Sequence, residues 1–415
     1  MSRRGLIALL AVFFVTRLIS VTFAGTPERY QFDGINPSSD VALYEGWARA
    51  MVVDDRAAYT EVPIEYPPGS LPFFLLPQVV ADSYDYLPKF ITVMLLLDIA
   101  GLIGALMLAR RWGSMWGPWL WTILIPALGP VVYLRLDLIP AVATIWAVER
   151  SAARDWLSSG GWIGFGIASK LYPALFVLPG LLASRPRWWR FAAGIAALVI
   201  VPLFPLIPSF DAVRESVLGY HTSRGIQVES LWGSILFFVM KGGGDVSIIY
   251  NFGALHFAGE TADALKPLAT IAAAVTVLGA SLLALRTTDE RRDKNFAEVS
   301  FVVLAFALGF GSVFSPQFLV WLFALGACVA CDRLTRLRLP VLLLLPVAIL
   351  THGLFPFLYN RMLAGETGPV ALLWVRNLLI VAIAGLSVWG LLRRPRPVDE
   401  LAEISDPSTP AIASG

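Results

Sequence analysis

Long apolar runs alternate with short charged segments over most of the chain. Ten of these runs predict membrane-spanning helices, because a bilayer is crossed by about 20 apolar residues. The predicted spans cover residues 5–23, 88–109, 115–132, 136–149, 190–208, 268–286, 297–313, 317–331, 338–355 and 370–392. The composition agrees: 57% of the 415 residues are hydrophobic and 15% are charged, against about 25% charged in a soluble domain. We therefore predict an all-α polytopic membrane protein.

The basic residues predict the orientation, since cytoplasmic flanks are rich in Lys and Arg. Arg110-Arg111 and Arg393-Arg394 follow predicted spans, whereas the segment 24–87 holds ten acids and three arginines. We expect 24–87 and 209–267 to be outer loops of one transmembrane domain, 1–392. Both termini are then cytoplasmic, and the Pro/Ser-rich tail 393–415 is predicted to be disordered. The net charge of +2 is too small to be informative about nucleic acid, and no nucleic-acid partner is expected.

Two apolar stretches fit this topology only if they do not cross the membrane. The stretch 69–81 has acids on both sides and is expected to lie on the outer leaflet as a juxtamembrane helix. The stretch 161–183 has basic flanks on both sides and is interrupted by Lys170-Leu171-Tyr172-Pro173. Because Pro173 cannot continue the preceding helix without losing a hydrogen bond, we predict two half-length helices there.

Three carboxylates in the first outer loop are candidates for acid–base chemistry. Asp40 follows the possible N-caps Ser38 and Ser39 and begins a predicted helix that runs to about Val53. The predicted buried face of this helix is Leu43, Tyr44, Trp47 and Met51. Glu65 precedes a Pro-Pro helix start, and Asp33 lies in the preceding loop. A carboxylate that only favours the helix dipole is the alternative for Asp40.

Six charged residues fall inside the predicted bilayer or at its rim, where charge is costly and usually functional or paired. They are Arg17, Asp98, Arg135, Asp137, Lys170 and Arg376. Asp98 lies in mid-helix and is expected to make a structural hydrogen bond. The outer positions of Arg17, Arg135, Asp137 and Arg376 predict side chains facing a cavity. Lys170 lies at the break of the half-helix pair, where it either satisfies carbonyls or binds an anion.

The second outer loop carries a dense polar run with His221, Arg224 and Glu229. Arg and His together suit a phosphate diester, although a solvated loop is the alternative. Further candidates in outer turns are Gln317, His352 and Arg361. Nothing predicts a metal site or a nucleotide site, and no cofactor is expected. Cys328 and Cys331 have the C-x-x-C spacing but lack two further ligands nearby, so we interpret them as helix-end thiols without chemistry.

Six motifs in this order resemble the glycosyltransferases of family 87. They are Ser39-Asp40-Val41-x-x-Tyr44, Glu65-Tyr66-Pro67-Pro68, Arg135-Leu136-Asp137, Lys170-Leu171-Tyr172-Pro173, the His221–Glu229 run and Ser315-Pro316-Gln317. That family includes actinobacterial α-1,2-mannosyltransferases that act on phosphatidylinositol mannosides. The resemblance implies a GT-C fold with outer juxtamembrane helices, a polyprenyl-phosphate sugar donor and a catalytic carboxylate at Asp40. It also implies a second acid near the outer rim, which matches Asp137.

These features predict a membrane glycosyltransferase that moves a sugar, with mannose favoured, from a polyprenyl-phosphate donor to a glycolipid hydroxyl. The outer loops place the reaction on the outer face, and attack opposite the phosphate would invert the anomeric centre. The alternative is a lipid or polyprenyl-phosphate transporter, which the break within 161–183 would suit. The densest polar chemistry lies in the outer loops and not at the midplane, which favours an enzyme.

Overall fold

The described part of the chain is mostly helical and contains one small sheet. The computed structural model describes residues 3–26, 38–80, 86–219, 224–286 and 291–393. The helices of the first half are α1 (Arg3–Gly25), α2 (Ser39–Val52), α3 (Leu71–Val80), α4 (Tyr86–Trp112), α5 (Trp116–Leu128), α6 (Leu138–Ala152), α7 (Trp156–Ser169), α8 (Val177–Ala183), α9 (Trp188–Leu203) and α10 (Phe210–Arg214). Those of the second half are α11 (Leu231–Lys241), α12 (Glu260–Ser281), α13 (Arg292–Phe310), α14 (Leu319–Ala330), α15 (Arg338–Leu342), α16 (Leu344–His352), α17 (Tyr359–Leu363) and α18 (Thr367–Leu392).

Six helical segments among the described residues are long and apolar enough to cross a membrane. They are Arg3–Gly25, Tyr86–Trp112, Trp188–Gly219, Glu260–Arg286, Arg338–Phe357 and Thr367–Leu392. The other four predicted spans correspond to the shorter helices α5, α6, α13 and α14, of 13, 15, 19 and 12 residues. Gly129 and Pro130 end α5 early, and a 3₁₀ turn at Pro316–Phe318 precedes α14. This architecture confirms the prediction of a helical polytopic membrane protein.

The predicted break within 161–183 is confirmed. Helix α7 ends at Ser169, Lys170 is extended (φ −162°, ψ 132°), and a 3₁₀ turn at Tyr172–Phe176 leads into α8. Two glycines let α7 approach α9 closely: a Cβ on Gly160 would lie 2.0 Å from the Phe191 carbonyl oxygen, and one on Gly194 would lie 2.1 Å from that of Leu157. Helix α7, which ends at the break before Lys170, is therefore packed closely against α9.

The described part of the segment 24–87, the predicted first outer loop, forms the two helices expected there. Helix α2 begins at Ser39 with Asp40 in its first turn, although Ser38 makes no side-chain capping bond. A 3₁₀ turn at Pro68–Ser70 leads into α3. The predicted buried face of α2 was partly wrong, because Leu43 is 42% exposed and lines an open cavity. The buried side chains are Val41, Tyr44, Trp47 and Ala48.

The segment 209–267, the predicted second outer loop, contains a sheet that the sequence did not predict. Strands β1 (Ile226–Gln227), β2 (Ser247–Asn251) and β3 (Ala254–Ala258) are antiparallel, in the order β1-β3-β2. Ile226 is paired with Phe257, and Ile249 with His256. The backbone nitrogen of Gln227 also donates to the Ser312 carbonyl at 2.8 Å. The sheet thus anchors this loop to the turn before α14.

Asp98 makes the structural contacts expected of it, but Arg17 does not face a cavity. The Arg17 guanidinium pairs with Asp98 (Nε–Oδ2 2.8 Å, Nη2–Oδ1 3.2 Å) and donates to the carbonyls of Trp121 and Thr122. The Tyr133 hydroxyl donates to Asp98 Oδ2 at 2.5 Å. The prediction for Arg17 was wrong because a partner on α4 lies within its reach. Cys328 and Cys331 are buried free thiols.

Candidate active site

Asp40 and Arg135 form an ion pair between the first outer loop and the bundle. Asp40 is fixed on the first turn of α2, and Arg135 has extended backbone between the 3₁₀ turn Pro130–Leu134 and α6. Asp40 Oδ2 lies 2.9 Å from Arg135 Nε. The Arg135 side chain is 8% exposed, whereas that of Asp40 is 31% exposed. The carboxylate is therefore held in place on one side and open on the other.

Two tyrosines line the buried side of this pair. Tyr44 lies one turn after Asp40 on α2, and its hydroxyl is 3.1 Å from that of Tyr66. The Tyr59 hydroxyl donates to the Tyr66 carbonyl at 2.8 Å, which links the Glu65–Pro68 segment to the connection that follows α2. Burial, followed by the negative charge of Asp40, raises the pKa of Tyr66 well above its ordinary value. Both phenols therefore remain neutral hydrogen-bonding groups beside the carboxylate.

Asp137 and Lys170 form a second, more deeply buried ion pair. Lys170 Nζ lies 2.9 Å from Asp137 Oδ1 and 3.0 Å from Oδ2, and the Asp137 side chain is fully buried. The ammonium group also lies 5.2 Å from the ring centroid of Tyr66 and 5.3 Å from those of Phe318 and Trp321. Aromatic faces attract cations at such distances. The helix break thus presents Lys170 to both a carboxylate and an aromatic cage.

Glu229 brings a further acid close to Arg135. Arg376 Nη2 donates to the Glu229 carbonyl at 2.6 Å, and Asn377 Nδ2 donates to it at 3.3 Å. Burial raises the pKa of the Glu229 carboxyl group to about 8, and the charges of Arg376 and Arg135 oppose this rise. The Arg376 guanidinium also stacks on the Phe314 ring at 3.9 Å. Glu229 therefore lies within the electrostatic reach of two buried arginines.

The turn before α14 completes the wall of the site. Gln227 Nε2 donates to Ser315 Oγ at 2.9 Å. Gln317 is half-buried in the following 3₁₀ turn, directly before Phe318 of the aromatic cage. Trp321 stacks on Tyr172 with ring centroids 3.9 Å apart. The predicted candidates Asp40, Arg135, Asp137, Lys170, Glu229 and Gln317 thus lie on segments that surround one polar cluster.

Glu65 lines an open cavity beside α2. The cavity has a volume of about 420 Å³. Its lining includes Leu43, Trp47, Glu65, Glu215, Ser216 and Phe252. Arg224 lies at its edge, since Nη2 donates to the Phe252 carbonyl at 3.4 Å. Because Trp47 and Tyr66 are also in ring contact, with centroids 6.2 Å apart, the cavity adjoins the polar cluster.

The remaining candidates have other surroundings or lie outside the described residues. His352 packs on the turn after α5, where a Cβ on Gly129 would come within 2.6 Å of Nε2. Arg361 is 55% exposed and pairs with Glu366. Asp33 and His221 lie outside the described residues, as does 394–415 of the predicted tail. No group of three or more His, Cys, Asp or Glu side chains suited to a metal occurs in the described part of the chain.

Sequence reasoning left several residues of the site without a role. Arg376 could be found as a charge within a long apolar helix, but its contact with Glu229 depends on how α18 packs. Tyr66 could be found as part of the Glu65–Pro68 motif. Trp321 and Asn377 gave no signal, because an indole or an amide in an apolar helix is ordinary. The arrangement offers one accessible carboxylate, buried cations for an anion and an aromatic surface beside them.

The comparisons with known proteins agree with this arrangement. The family model described as "Glycosyltransferase family 87" matches residues 65–316, which is more than half of the chain. Among solved structures, the chain is similar to ArnT from Cupriavidus metallidurans bound to undecaprenyl phosphate. The identity is 13%, the match covers 94% of this chain and 77% of that chain, and the TM-score is 0.50. This likeness supports the predicted GT-C fold. The search of curated proteins gave no match. The chain belongs to glycosyltransferase family 87.

Proposed function

We propose that this glycosyltransferase moves a sugar from a polyprenyl phosphate to a hydroxyl group of a lipid-linked glycan, with inversion. The observation that carries the proposal is the Asp40–Arg135 pair, in which a partly exposed carboxylate is held by a buried guanidinium. A general base must be accessible to its substrate yet fixed in orientation. Asp40 meets both requirements better than the fully buried Asp137 does.

The proposed reaction needs one base and a stabilised leaving group. The acceptor oxygen attacks the anomeric carbon while Asp40 takes the hydroxyl proton. The bond from the anomeric carbon to the phosphate oxygen breaks, and its electrons leave with the polyprenyl phosphate. The charge that develops on this phosphate is best met by preorganised cations. Arg135 and Lys170 suit this role because both are largely buried at the cluster. Attack opposite the phosphate inverts the anomeric centre.

The cavity beside α2 suits the acceptor glycan. Trp47 and Phe252 supply apolar surface, and Glu65 and Glu215 supply hydrogen-bond acceptors for sugar hydroxyls. The bound undecaprenyl phosphate named for the structural neighbour supports a polyprenyl-phosphate donor here. We propose mannose as the sugar and a phosphatidylinositol mannoside as the acceptor, because the six motifs resemble enzymes of that kind.

The test is transfer from a defined donor by purified protein in proteoliposomes. Radiolabelled polyprenyl-phosphate mannose is supplied with phosphatidylinositol mannosides, and the label is followed into the product lipids. Polyprenyl-phosphate glucose serves as the matched donor control. We expect label in the glycolipid with the mannose donor. Release of label only as free sugar, or no transfer with any acceptor, would contradict the proposal.

We also propose that the site faces the outside of the cell membrane, with both termini in the cytoplasm. Asp54, in the first outer loop, is exposed, and so is Arg110 at the far end of α4. Asp54→Cys should react with an impermeant maleimide in intact cells, and Arg110→Cys should react only after lysis. The background is expected to be low because both native cysteines are buried. The reverse labelling pattern would overturn this orientation.

The rival activity, polyprenyl-phosphate transport, shares the lipid but forms no glycosidic bond. The helix break at Lys170 is the feature that suits a transporter. In the fold, however, this break supplies the Lys170 side chain of the Asp137–Lys170 pair, close to the Asp40–Arg135 pair. Family membership favours transfer. In the proteoliposome assay, a transporter would move labelled donor to the opposite leaflet without forming a new glycolipid. That result would support the rival activity.

A further inference from the structure

An amphipathic groove lies at the end of α5 opposite Arg135. It has a volume of about 840 Å³ and is bounded by the segment that leads into α5 and by the segment between α14 and α15. Its apolar part is formed by Leu120, Ile123, Val341 and Leu342, and its rim carries Trp116, Trp119, Arg333 and Arg338. Since Arg135 follows the other end of α5, this groove is separate from the candidate active site.

The rim of the groove is built by paired backbone segments. Gly113 and Asp332 form an antiparallel bridge. The backbone nitrogen of Ser114 donates to the Cys331 carbonyl at 3.1 Å, and that of Arg333 donates to the Trp112 carbonyl at 3.2 Å. These bonds join the α4–α5 connection to the α14–α15 connection. The positions of Arg333 and Trp116 are therefore fixed relative to each other, which lowers the entropic cost of binding a ligand between them.

The groove has an excess of positive charge at its rim. Its one acid, Asp332, is 3% exposed and is already paired with Arg291 (Nη2–Oδ2 3.0 Å) and Lys294 (Nζ–Oδ1 3.1 Å). Arg333 and Arg338 are exposed, and Arg338 Nη2 donates to the Arg333 carbonyl. Within the described ranges neither arginine forms an ion pair with a carboxylate. The positive charges of these two guanidinium groups are thus not neutralised by a carboxylate among the described residues, and both line the groove beside its apolar residues.

We propose that this groove binds an anionic phospholipid of the surrounding membrane. The two arginines match a phosphodiester headgroup, and guanidinium groups bind phosphate oxygens in a bidentate manner. Trp116 is 67% exposed, and tryptophan rings favour the boundary between headgroups and acyl chains. The apolar surface along α5 and α15 continues from the arginines, as acyl chains require. A small anion would use the arginines but leave this apolar surface exposed.

The test is lipid retention by the purified full-length protein, measured by native mass spectrometry. Protein in detergent is titrated with phosphatidylglycerol and, separately, with phosphatidylcholine. The test variant is R333Q/R338Q. The matched control is R110Q/R187Q, which removes two exposed arginines outside the groove lining. R333K/R338K keeps the charge. A basic residue near a lipid surface contributes about fivefold in affinity, so R333Q/R338Q should bind phosphatidylglycerol roughly thirtyfold more weakly.

We expect the wild type, R110Q/R187Q and R333K/R338K to retain phosphatidylglycerol in preference to phosphatidylcholine. Equal losses in R333Q/R338Q and R110Q/R187Q would indicate general electrostatic attraction and overturn the proposal. Equal retention of the two lipids by the wild type would overturn it as well. Complete competition by inorganic phosphate would assign the groove to a free anion, and stronger retention of polyprenyl phosphate would assign it to the donor lipid. Either result would exclude the proposed occupant.

Discussion

Two of the Arg–Asp ion pairs in the described part of the chain have very different surroundings. In the Arg17–Asp98 pair the side chains are 3% and 0% exposed. Additional bonds come from two backbone carbonyls and from the Tyr133 hydroxyl. In the Arg135–Asp40 pair the arginine is similarly buried, but Asp40 is 31% exposed. The first carboxylate is enclosed by its partners, and the second can still meet a substrate.

This difference separates a structural ion pair from the pair that we propose to be catalytic. Asp98 accepts two bonds from Arg17 and one from Tyr133, so little of its capacity remains for another group. Asp40 receives Arg135 on one oxygen, and its side chain on the first turn of α2 remains 31% exposed. A buried charge is therefore not evidence of catalysis by itself. The accessible member of a partly buried pair is the better candidate.

The largest expected effect comes from removing the charge of Asp40. Asp40→Asn keeps the shape of the side chain but cannot accept the acceptor proton, so turnover should fall by about 10²–10⁴-fold. Stability should fall less than in the Arg17–Asp98 pair, because Asp40 is 31% exposed and Asp137 remains within electrostatic reach of the buried Arg135 guanidinium. On the same sample, transfer kinetics measure the turnover and a thermal unfolding curve measures the stability. Retention of more than about a tenth of wild-type turnover would exclude Asp40 as the base.

An Asp-to-Asn substitution in the Arg17–Asp98 pair should lower the stability but not the turnover. Asp98→Asn leaves the Arg17 guanidinium buried without a counter-charge, which typically costs about 3–5 kcal/mol of stability. Turnover per folded molecule should stay near the wild-type value. The double variant R17M/D98L removes both charges and should recover most of the stability. If Asp98→Asn lowered turnover in fully folded protein, the distinction between the two pairs would be wrong.

The Asp137–Lys170 pair is an intermediate case, since Asp137 is fully buried and Lys170 is 11% exposed. Lys170→Met should lower turnover by roughly 10–100-fold, because one charge-assisted bond to the donor phosphate is worth about 1.5–3 kcal/mol. It should also destabilise the fold by leaving Asp137 uncompensated. The matched double variant D137L/K170M separates these effects. We expect it to regain stability but not turnover, and recovery of turnover would remove Lys170 from the donor site.

Local signals predicted much of the site from the sequence. Ser39-Asp40 at a helix start and the Lys170–Pro173 break are encoded within a few residues, so both were found at the correct positions. The pairing of Asp40 with Arg135 was not predicted, because it depends on how the first outer loop packs on the bundle. For the same reason the Arg17–Asp98 pair was not predicted, and Arg17 was expected to face a cavity.

The small sheet and the role of Arg376 were missed for different physical reasons. Strand β1 has two residues, which is too short for any alternation to be recognised. Its partner, β3, follows in the sequence only after α11 and β2. Arg376 was recognised as a charge in an apolar helix, but its partner is the backbone carbonyl of Glu229. Every residue has a backbone carbonyl, so the sequence does not indicate which one accepts the bond from Arg376.

The smallest expected effect concerns Glu229, the second acid near Arg135. Burial raises its pKa to about 8 from an ordinary value of 4.5, so between these pH values the folded state holds a proton that the unfolded state has lost. The stability contribution of this group is therefore fully present below pH 4.5 and is lost as the pH rises through about 8.

Thermal unfolding of the wild type should show a lower midpoint at pH 8 than at pH 6. Glu229→Gln cannot titrate, so this difference should shrink in that variant, whereas Asp40→Asn should retain it. An equal pH dependence in the wild type and Glu229→Gln would show that Glu229 is already ionised, held by Arg376 and Arg135 as Asp98 is held by Arg17.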